Sequence, residues 1–436
     1  MNKTIITPNF LDLKGLKGNE LKTLIQEDAV EHFNNVQNLV CEIVTGFGKT
    51  NIAMIAIKRN KGKSINIVVP KLNLKKQWED RLTEKGLLNR VSIYVINTYT
   101  MNHEKIDNLE PDILIIDEGH RCLNEESEKF STLLGLSPKT KHLILSASLT
   151  DKHKAFLYDK GITHYYEVSK NWAYHKGLVP FHTPINCPID LTLEEMSRYL
   201  KCMDEINSNS RWCNIGHIYN AYETNPAKID QCARIQRCEP GLVYGKLKRW
   251  KSAISVREQL LYNAENKLIV VKEIVDLIDE KCLIFCKTID FAEAMREQDS
   301  LGVVYHSKLK SSKKNNEKEH ALNLFYSDVK PHMYSVDSLK EGFDIVDCRF
   351  VVRTAYNSTE LDTTQITGRI SRYDESNLDK ESFLINFFVK PFQARGQEIE
   401  SQELKWLVKN QKLEHNVVWF DSAVDVINYV KQIFNK

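Results

Sequence analysis

Three short clusters in this 436-residue chain carry side chains suited to chemistry on a phosphate. The first is Thr45-Gly46-Phe47-Gly48-Lys49-Thr50, which follows the apolar run 38–44 and precedes a helical pattern. Glycines let backbone N–H groups turn toward phosphate oxygens, and a helix N-terminus adds partial positive charge. Lys49 then reaches the β- and γ-phosphates and the Thr50 hydroxyl can hold Mg²⁺. The strict pattern places glycine at 43, where this chain has Ile43, so the match is to a shortened form. The second cluster is Asp117-Glu118, ending the run ILIID at 113–117. A carboxylate at the carboxyl edge of a parallel sheet can hold the Mg²⁺ shell, and its neighbour can orient or deprotonate a water. Taken alone, such a pair reads better as an acidic turn before a helix, and the phosphate loop upstream reverses that. The third is Gln365-Ile-Thr-Gly-Arg369-Ile-Ser-Arg372. On a helix, Gln365, Arg369 and Arg372 share a face, and two clustered guanidiniums call for an anion. An arginine offered to a γ-phosphate stabilises the charge that develops on it.

Two sets of short apolar runs interleaved with helical periodicity must position these clusters, which is how parallel α/β sheets read. The first set is 38–44, 64–69, 91–96, 112–117 and 142–148; the second is 281–287, 301–305, 332–336, 349–353 and 382–389. The expected organisation is two α/β domains in tandem, residues 1–165 and 263–436, with a mainly helical linker or insertion over 166–262. In that middle part Leu193, Met196, Leu200 and Met203 keep helical spacing. The stripe Val424, Val426, Ile427, Val430 and Ile433 marks a docking helix near the end. Charge is nearly balanced, with Lys+Arg 60 against Asp+Glu 58, so contact with nucleic acid must come from local basic surface. No run approaches the roughly 20 apolar residues that cross a bilayer, and a cytoplasmic setting without a membrane partner is expected. Ten cysteines without a C-x-x-C pair suit reduced buried thiols. The irregular set Cys202, Cys213, Cys232, Cys238 and His217 is the only alternative as a metal site.

In this order the motifs resemble superfamily 2 helicases of the DExH type, from Gln26 to Arg372. The segments that carry the resemblance are LKTLIQEDAV (21–30), the phosphate loop, VVPKLNLKKQW (68–78), INTYT (96–100), DEGH (117–120), LSASLT (145–150), CLIFCKT (282–288), SVDSLKEGFDI (335–345) and QITGRISR (365–372). The resemblance implies two RecA-like parallel-sheet domains with ATP and Mg²⁺ between them and nucleic acid across both. It implies that Gln26 reads adenine, that Thr45 to Thr50 hold the phosphates, and that Thr50 and Asp117 hold Mg²⁺. Glu118 activates water, Arg372 is the finger, Arg369 is a second γ-phosphate contact, Gln365 belongs to the same catalytic set, and Gly342 and Asp344 face the ribose. His120, Ser146 and Ser148 couple hydrolysis to strand movement. Candidate strand contacts are Pro70, Lys71, Lys75, Thr98, Tyr99, Lys287, Thr288, His306, Ser307 and Ser338, and in the insertion Lys248 and Trp250. Any of these lysines is also readable as a solvated charge, and Trp250 as packing. Phe47 inside the phosphate loop and S-A-S-L-T at 146–150 depart from the usual pattern. DEGH, Gln365 and the helical segment before 282 are similar to phage branch-migration helicases of the UvsW-like group. The expected function is an ATP-dependent DNA helicase or translocase acting as a monomer on forked, branched or single-stranded DNA, with recombination or replication proteins as partners. An RNA helicase, a duplex-DNA translocase that separates no strands, and a non-catalytic binding module are the alternatives.

Overall fold

The computed structural model describes residues 3–8, 18–123, 132–136, 138–179, 182–213, 226–310, 316–336, 348–356, 381–411 and 416–434, with backbone alone for 211–213. Among the described residues the chain forms two compact units: the first holds those up to His182 together with 348–349 and 381–383, and the second holds the others, with the two strands that cross this division pairing in the second unit's sheet.

The first unit contains, in chain order, β1 (Thr4–Ile6), α1 (Gly18–Asn35), β2 (Asn38–Ile43), α2 (Lys49–Arg59), β3 (Ile65–Val69), α3 (Leu72–Glu84), β4 (Ser92–Val95), α4 (Ile96–Met101), β5 (Ile113–Ile116), α5 (Gly119–Cys122), β6 (Lys141–Ser146), α6 (Asp151–Asp159), β7 (His164–Val168) and α7 (Lys170–His175). Its strands make one sheet in the order β1-β7-β2-β6-β5-β3-β4, and every pairing is parallel. Strand residues alternate between two cores. Cys41, Ile67, Ile115 and Leu145 join Phe33 of α1, Ile57 of α2 and Trp78 of α3 on one face, while Val40, Val68, Leu114 and Ile144 join Tyr99 of α4 and Leu157 of α6 on the other. Burial on both faces is why these strands read as unbroken apolar runs. From β2 the chain runs out to β3 and β4 and returns through β5 and β6 to β7. That path sets the carboxyl ends of β2, β6 and β5 side by side.

The second unit contains β8 (His182–Ile189), α8 (Leu193–Cys213), α9 (Pro226–Gln236), α10 (Pro240–Tyr262), α11 (Glu265–Val275), β9 (Cys282–Cys286), α12 (Ile289–Gln298), β10 (Gly302–Tyr305), α13 (Glu317–Tyr326), β11 (His332–Val336), β12 (Phe350–Arg353), β13 (Ser382–Val389), β14 (Phe392–Ala394), β15 (Gln397–Ile399), α14 (Gln402–Asn410), β16 (Val418–Trp419) and α15 (Ala423–Phe434). Its sheet runs β10-β11-β9-β12-β13-β8-β16. The tandem pair of parallel sheets with a mainly helical stretch between them is the architecture expected of RecA-like domains. All ten strands anticipated from apolar runs form within a residue or two of their ends.

The expected boundaries shift. β7 straddles residue 165 and pairs inside the first sheet, and β8, inside the expected linker, is a strand of the second sheet. The sequence HTPINCPI hides β8 because its buried polar groups are paired. Asn186 donates to Gln411 Oε1 at 2.7 Å and accepts from Asn386 at 3.2 Å. In α15, Val426 and Val430 are buried as the stripe requires, and Phe434 stacks on Phe350 at 5.0 Å, but Val424 is exposed. Among the described residues no helix is long and apolar enough to cross a membrane, and no group of three or more His, Cys, Asp or Glu gathers as a metal site. Cys202, Cys232 and Cys238 are free thiols; His217 lies outside the described residues and Cys213 is described by its backbone only.

Candidate active site

The phosphate loop leaves the end of β2, and its two glycines turn it. Gly46 and Gly48 have φ of 81° and 92°. The φ of Gly48 alone disfavours any side chain, and a Cβ there would stand 2.7 Å from Gln26 Nε2 and displace it. Gln26, buried on α1, donates to the Phe47 carbonyl at 2.8 Å, and Lys22 one turn earlier donates to the Gly46 carbonyl at 2.8 Å. Phe47 itself is fully buried in the core between α1 and the sheet. The residue that departs from the usual loop pattern is thus the loop's anchor, and Gln26 lies under the loop as its support. α2 begins at Lys49 with no side-chain cap and no acidic residue in its first turn, so its dipole faces the loop unopposed. Lys49 Nζ rests on the Ile43 carbonyl at 3.2 Å.

Asp117 follows β5, two strands from β2, and is 7% exposed. Burial first, and then the adjacent Glu118 carboxylate, push its pKa up to about 6; the Trp78 indole N–H at 2.8 Å, Lys49 and the Glu118 backbone N–H oppose the rise. Glu118 takes the left-handed conformation, φ 48° and ψ 55°, at the start of α5. That conformation costs a non-glycine residue of order 1 kcal/mol or more and is retained where a site needs it. Gly119 follows because a Cβ there would sit 2.6 Å from Ile144 Cγ2 of β6.

β6 lies between β2 and β5, and its last residue meets the DEGH turn. His120 Nδ1 is 3.2 Å from Ser146 Oγ, which donates to the Ser148 carbonyl at 2.9 Å; His120 is also 3.5 Å from Glu118 Oε2. Burial is the main cause that lowers the His120 pKa to about 4, with Glu118 opposing, so the ring is neutral at pH 7. Beyond Ser148, the Leu149 N–H donates to Glu42 Oε1 of β2 at 2.9 Å, and Lys154 of α6 pairs with Glu42 at 2.6 Å. Lys49, Thr50, Asp117, Glu118, His120, Ser146 and Ser148 therefore share one sheet edge, the usual ligand-binding edge of open α/β sheets.

The donor set fits a nucleotide phosphate with Mg²⁺. Thr50 and Asp117 offer hard oxygens, the kind Mg²⁺ takes, and Thr50 Oγ1 accepts only from the Arg81 guanidinium at 3.1 Å among its described contacts. Lys22, Trp78 and Arg81 were not anticipated from the sequence, because their partners lie 24 to 39 residues away. The indole N–H of Trp78 gives no sequence signal of what it bonds.

The expected strand contacts divide. Lys71 immediately precedes α3, makes no side-chain capping bond and is exposed; partial burial, and then the like charge of Arg121, hold its pKa below the ordinary lysine range. Pro70, Lys75, Thr98 and Lys287 are half-buried and Ser307 is exposed. Tyr99 is corrected: its ring is fully buried, and its hydroxyl donates to the Leu109 carbonyl at 3.3 Å, so it belongs to the core. His306 is corrected likewise, since it is 4% exposed and pairs with Glu293 at 2.8 Å. Thr288 is the cap of α12, accepting from Phe291 N–H at 3.2 Å and donating to Asn263. In the helical stretch Lys248 is exposed, while Trp250 packs on Ile229, Cys232, Val243 and Leu247, the packing alternative. Ser338, Gly342, Asp344, Gln365, Arg369 and Arg372 lie outside the described residues.

Residues 23–110 match the DEAD/DEAH box helicase family and residues 266–374 the helicase conserved C-terminal domain. No curated protein matches the chain by sequence alone. Among solved structures, Saccharomyces cerevisiae Dbp5 bound to RNA and ADP BeF3 is similar at 14% identity and TM-score 0.57, covering 94% of this chain and 93% of its own. A single-residue variant of Dbp5 in the same bound state gives TM-score 0.58 at 14% identity with the same coverage. The helicase domain of Pyrococcus furiosus Hef gives 15% identity and TM-score 0.48, covering 89% and 97%.

Proposed function

We propose that this superfamily 2 helicase, an ATP-hydrolysing enzyme, drives movement along one strand of nucleic acid with energy from ATP held at the β2–β5–β6 edge. The observation that carries the reading is the single sheet edge that joins the glycine-turned loop of Lys49 to the Asp117-Glu118 pair, with Ser146 bonded to His120 between them. Lys49 and the N-terminus of α2 neutralise the β- and γ-phosphates. Thr50 and Asp117 would hold Mg²⁺, which supplies charge stabilisation when bound. Glu118, its backbone fixed in the left-handed region, orients the attacking water and takes its proton. Gln365, Arg369 and Arg372 serve the γ-phosphate in this reading, and Gly342 and Asp344 the ribose. His120, Ser146 and Ser148 link the γ-phosphate side to the strand side through hydrogen bonds that a shift of Glu118 must disturb.

Pro70, Lys71, Lys75 and Thr98 grip the strand from the first unit and Lys287 and Ser307 from the second, each reading phosphates and not bases. RNA is the polymer we place first, because the Dbp5 structures that share this fold hold RNA. Forked or branched DNA, as in the UvsW-like group, is the second reading, favoured by DEGH at 117–120 and by Gln365. Both are tested by ATP turnover and strand separation across single-stranded RNA and DNA, RNA duplexes, DNA forks and four-way junctions. Turnover driven by RNA with RNA-duplex separation supports the first; stimulation confined to DNA forks and junctions overturns it in favour of the second.

A further inference from the structure

One helix touches both groups placed to hold Mg²⁺. α3 starts at the Pro70–Lys71 turn, carries Lys75 in its first turn, and one face further on bears Trp78 and Arg81, three residues apart and so side by side. Trp78 Nε1 donates to Asp117 Oδ2 at 2.8 Å, and Arg81 Nη1 donates to Thr50 Oγ1 at 3.1 Å. The two acceptors lie on separate segments, one after β5 and one at the start of α2. Seven residues of helix separate Lys71 from Trp78, about 10 Å at 1.5 Å per residue. Leu74, Trp78 and Leu82 are buried against the first core, so the helix is a stiff element packed on the sheet. A close-packed element shifts as a unit or not at all. Packing alone would be met by a phenylalanine at 78 and an aliphatic residue at 81; the donors at both positions need a further reason.

We propose that α3 is a relay between strand and nucleotide. Nucleic acid on the Pro70–Lys71–Lys75 turn sets the position of α3, and Trp78 and Arg81 transmit that position to Asp117 and Thr50. Trp78 and Arg81 are thereby positioning residues for hydrolysis. The inference rests on the reading that this turn grips the strand. It requires that strand and nucleotide strengthen each other's binding by the same factor, since coupling between two sites is reciprocal.

The test measures that factor on the whole 436-residue chain. Binding of a fluorescent ADP is titrated in Mg²⁺ with and without a single-stranded oligonucleotide, RNA and DNA in separate series, and oligonucleotide binding is titrated with and without the ADP. The native chain is expected to show coupling within the usual range of roughly 5- to 150-fold. Trp78→Phe and Arg81→Met should each bring the factor to within about twofold of unity and raise the Mg²⁺ needed for half-maximal nucleotide binding. Oligonucleotide binding without nucleotide should stay unchanged, and Arg81→Lys should restore part of the coupling. Arg81 is half-buried, so its variants keep the test open if Trp78→Phe lowers the melting temperature. Native coupling retained in both variants overturns the relay while leaving the helicase reading intact. A native protein that binds no oligonucleotide overturns the reading of the turn, and the relay falls with it.

Discussion

Two clusters of buried polar groups, one in each unit, differ in what they meet, and the difference separates chemistry from support. In the first, Asp117, His120 and Ser146 collect at the carboxyl edge of the sheet, where strand ends meet loops. In the second, Lys267, Glu403 and His332 sit at joints between elements. Lys267 of α11 pairs with Glu403 of α14 at 3.1 Å, both side chains fully buried, and also donates to the Leu261 carbonyl at 2.7 Å. Glu403 accepts in addition from the Tyr356 and Val389 N–H groups at 3.3 Å, tying β12 and β13 to the helices. His332 bridges Asp299 and the Ile278 carbonyl, each at 2.8 Å, at the start of β11. A polar group at a strand's carboxyl end can face a ligand; one that closes a joint has spent its bonds on the fold.

Four expected outcomes sharpen that contrast. Glu118→Gln should lower ATP turnover by roughly 10²- to 10⁴-fold, the range for a lost general base, while nucleotide binding measured by calorimetry persists. Loss of nucleotide binding as well would make Glu118 a structural residue. Next in size, Glu403→Gln should destabilise the second unit by about 3–5 kcal/mol, because it strands a buried ammonium. Thermal unfolding should show that loss, and the paired change of Lys267 and Glu403 to Met and Leu should recover much of it. A single change as mild as a surface substitution would mean the joint is not the support described.

The pH response is the third. In the first unit, burial lowers His120 and His142 to about 4 and His182 well below its ordinary value. The unfolded chain takes these protons below pH about 6.5 and the folded chain refuses them, so stability is present above that pH and falls as pH drops toward 4. Asp117, raised to about 6, works in the opposite sense and offsets part of this. In the second unit Asp299 is held below its ordinary 3.8 by His332 and Tyr334 against the effect of burial. Its contribution is present above that value and is lost only in stronger acid. Unfolding followed at pH 7, 5.5 and 4.5 should therefore weaken the first unit before the second; the reverse order would contradict the assignment.

The smallest effect is Tyr99→Phe. Losing its bond to the Leu109 carbonyl should cost about 1 kcal/mol and leave affinity for nucleic acid unchanged. A clear fall in affinity would return Tyr99 to the strand surface.

Most of the sheet frame was legible because doubly buried parallel strands are apolar along their whole length, as in ILII at 113–116. Lys49, Thr50, Asp117 and Glu118 were legible for a related reason, since their chemistry fixes their place at the ends of such strands. Burial of Tyr99 and His306 was not, because a polar tip on an apolar body gives the same sequence signal inside and outside. β8 escaped because its Asn186 is satisfied by Gln411, 225 residues away. Trp78 and Arg81 escaped for the same reason, since pairing across folded segments leaves no local trace.

The most direct measurement is ATP turnover by the purified native protein and its Lys49→Ala variant, with and without RNA or DNA strands, following strand separation in the same reactions. The account predicts turnover stimulated by a strand, accompanied by unwinding, and both abolished by Lys49→Ala. Strand-independent turnover, or turnover that survives the loss of Lys49, would contradict it.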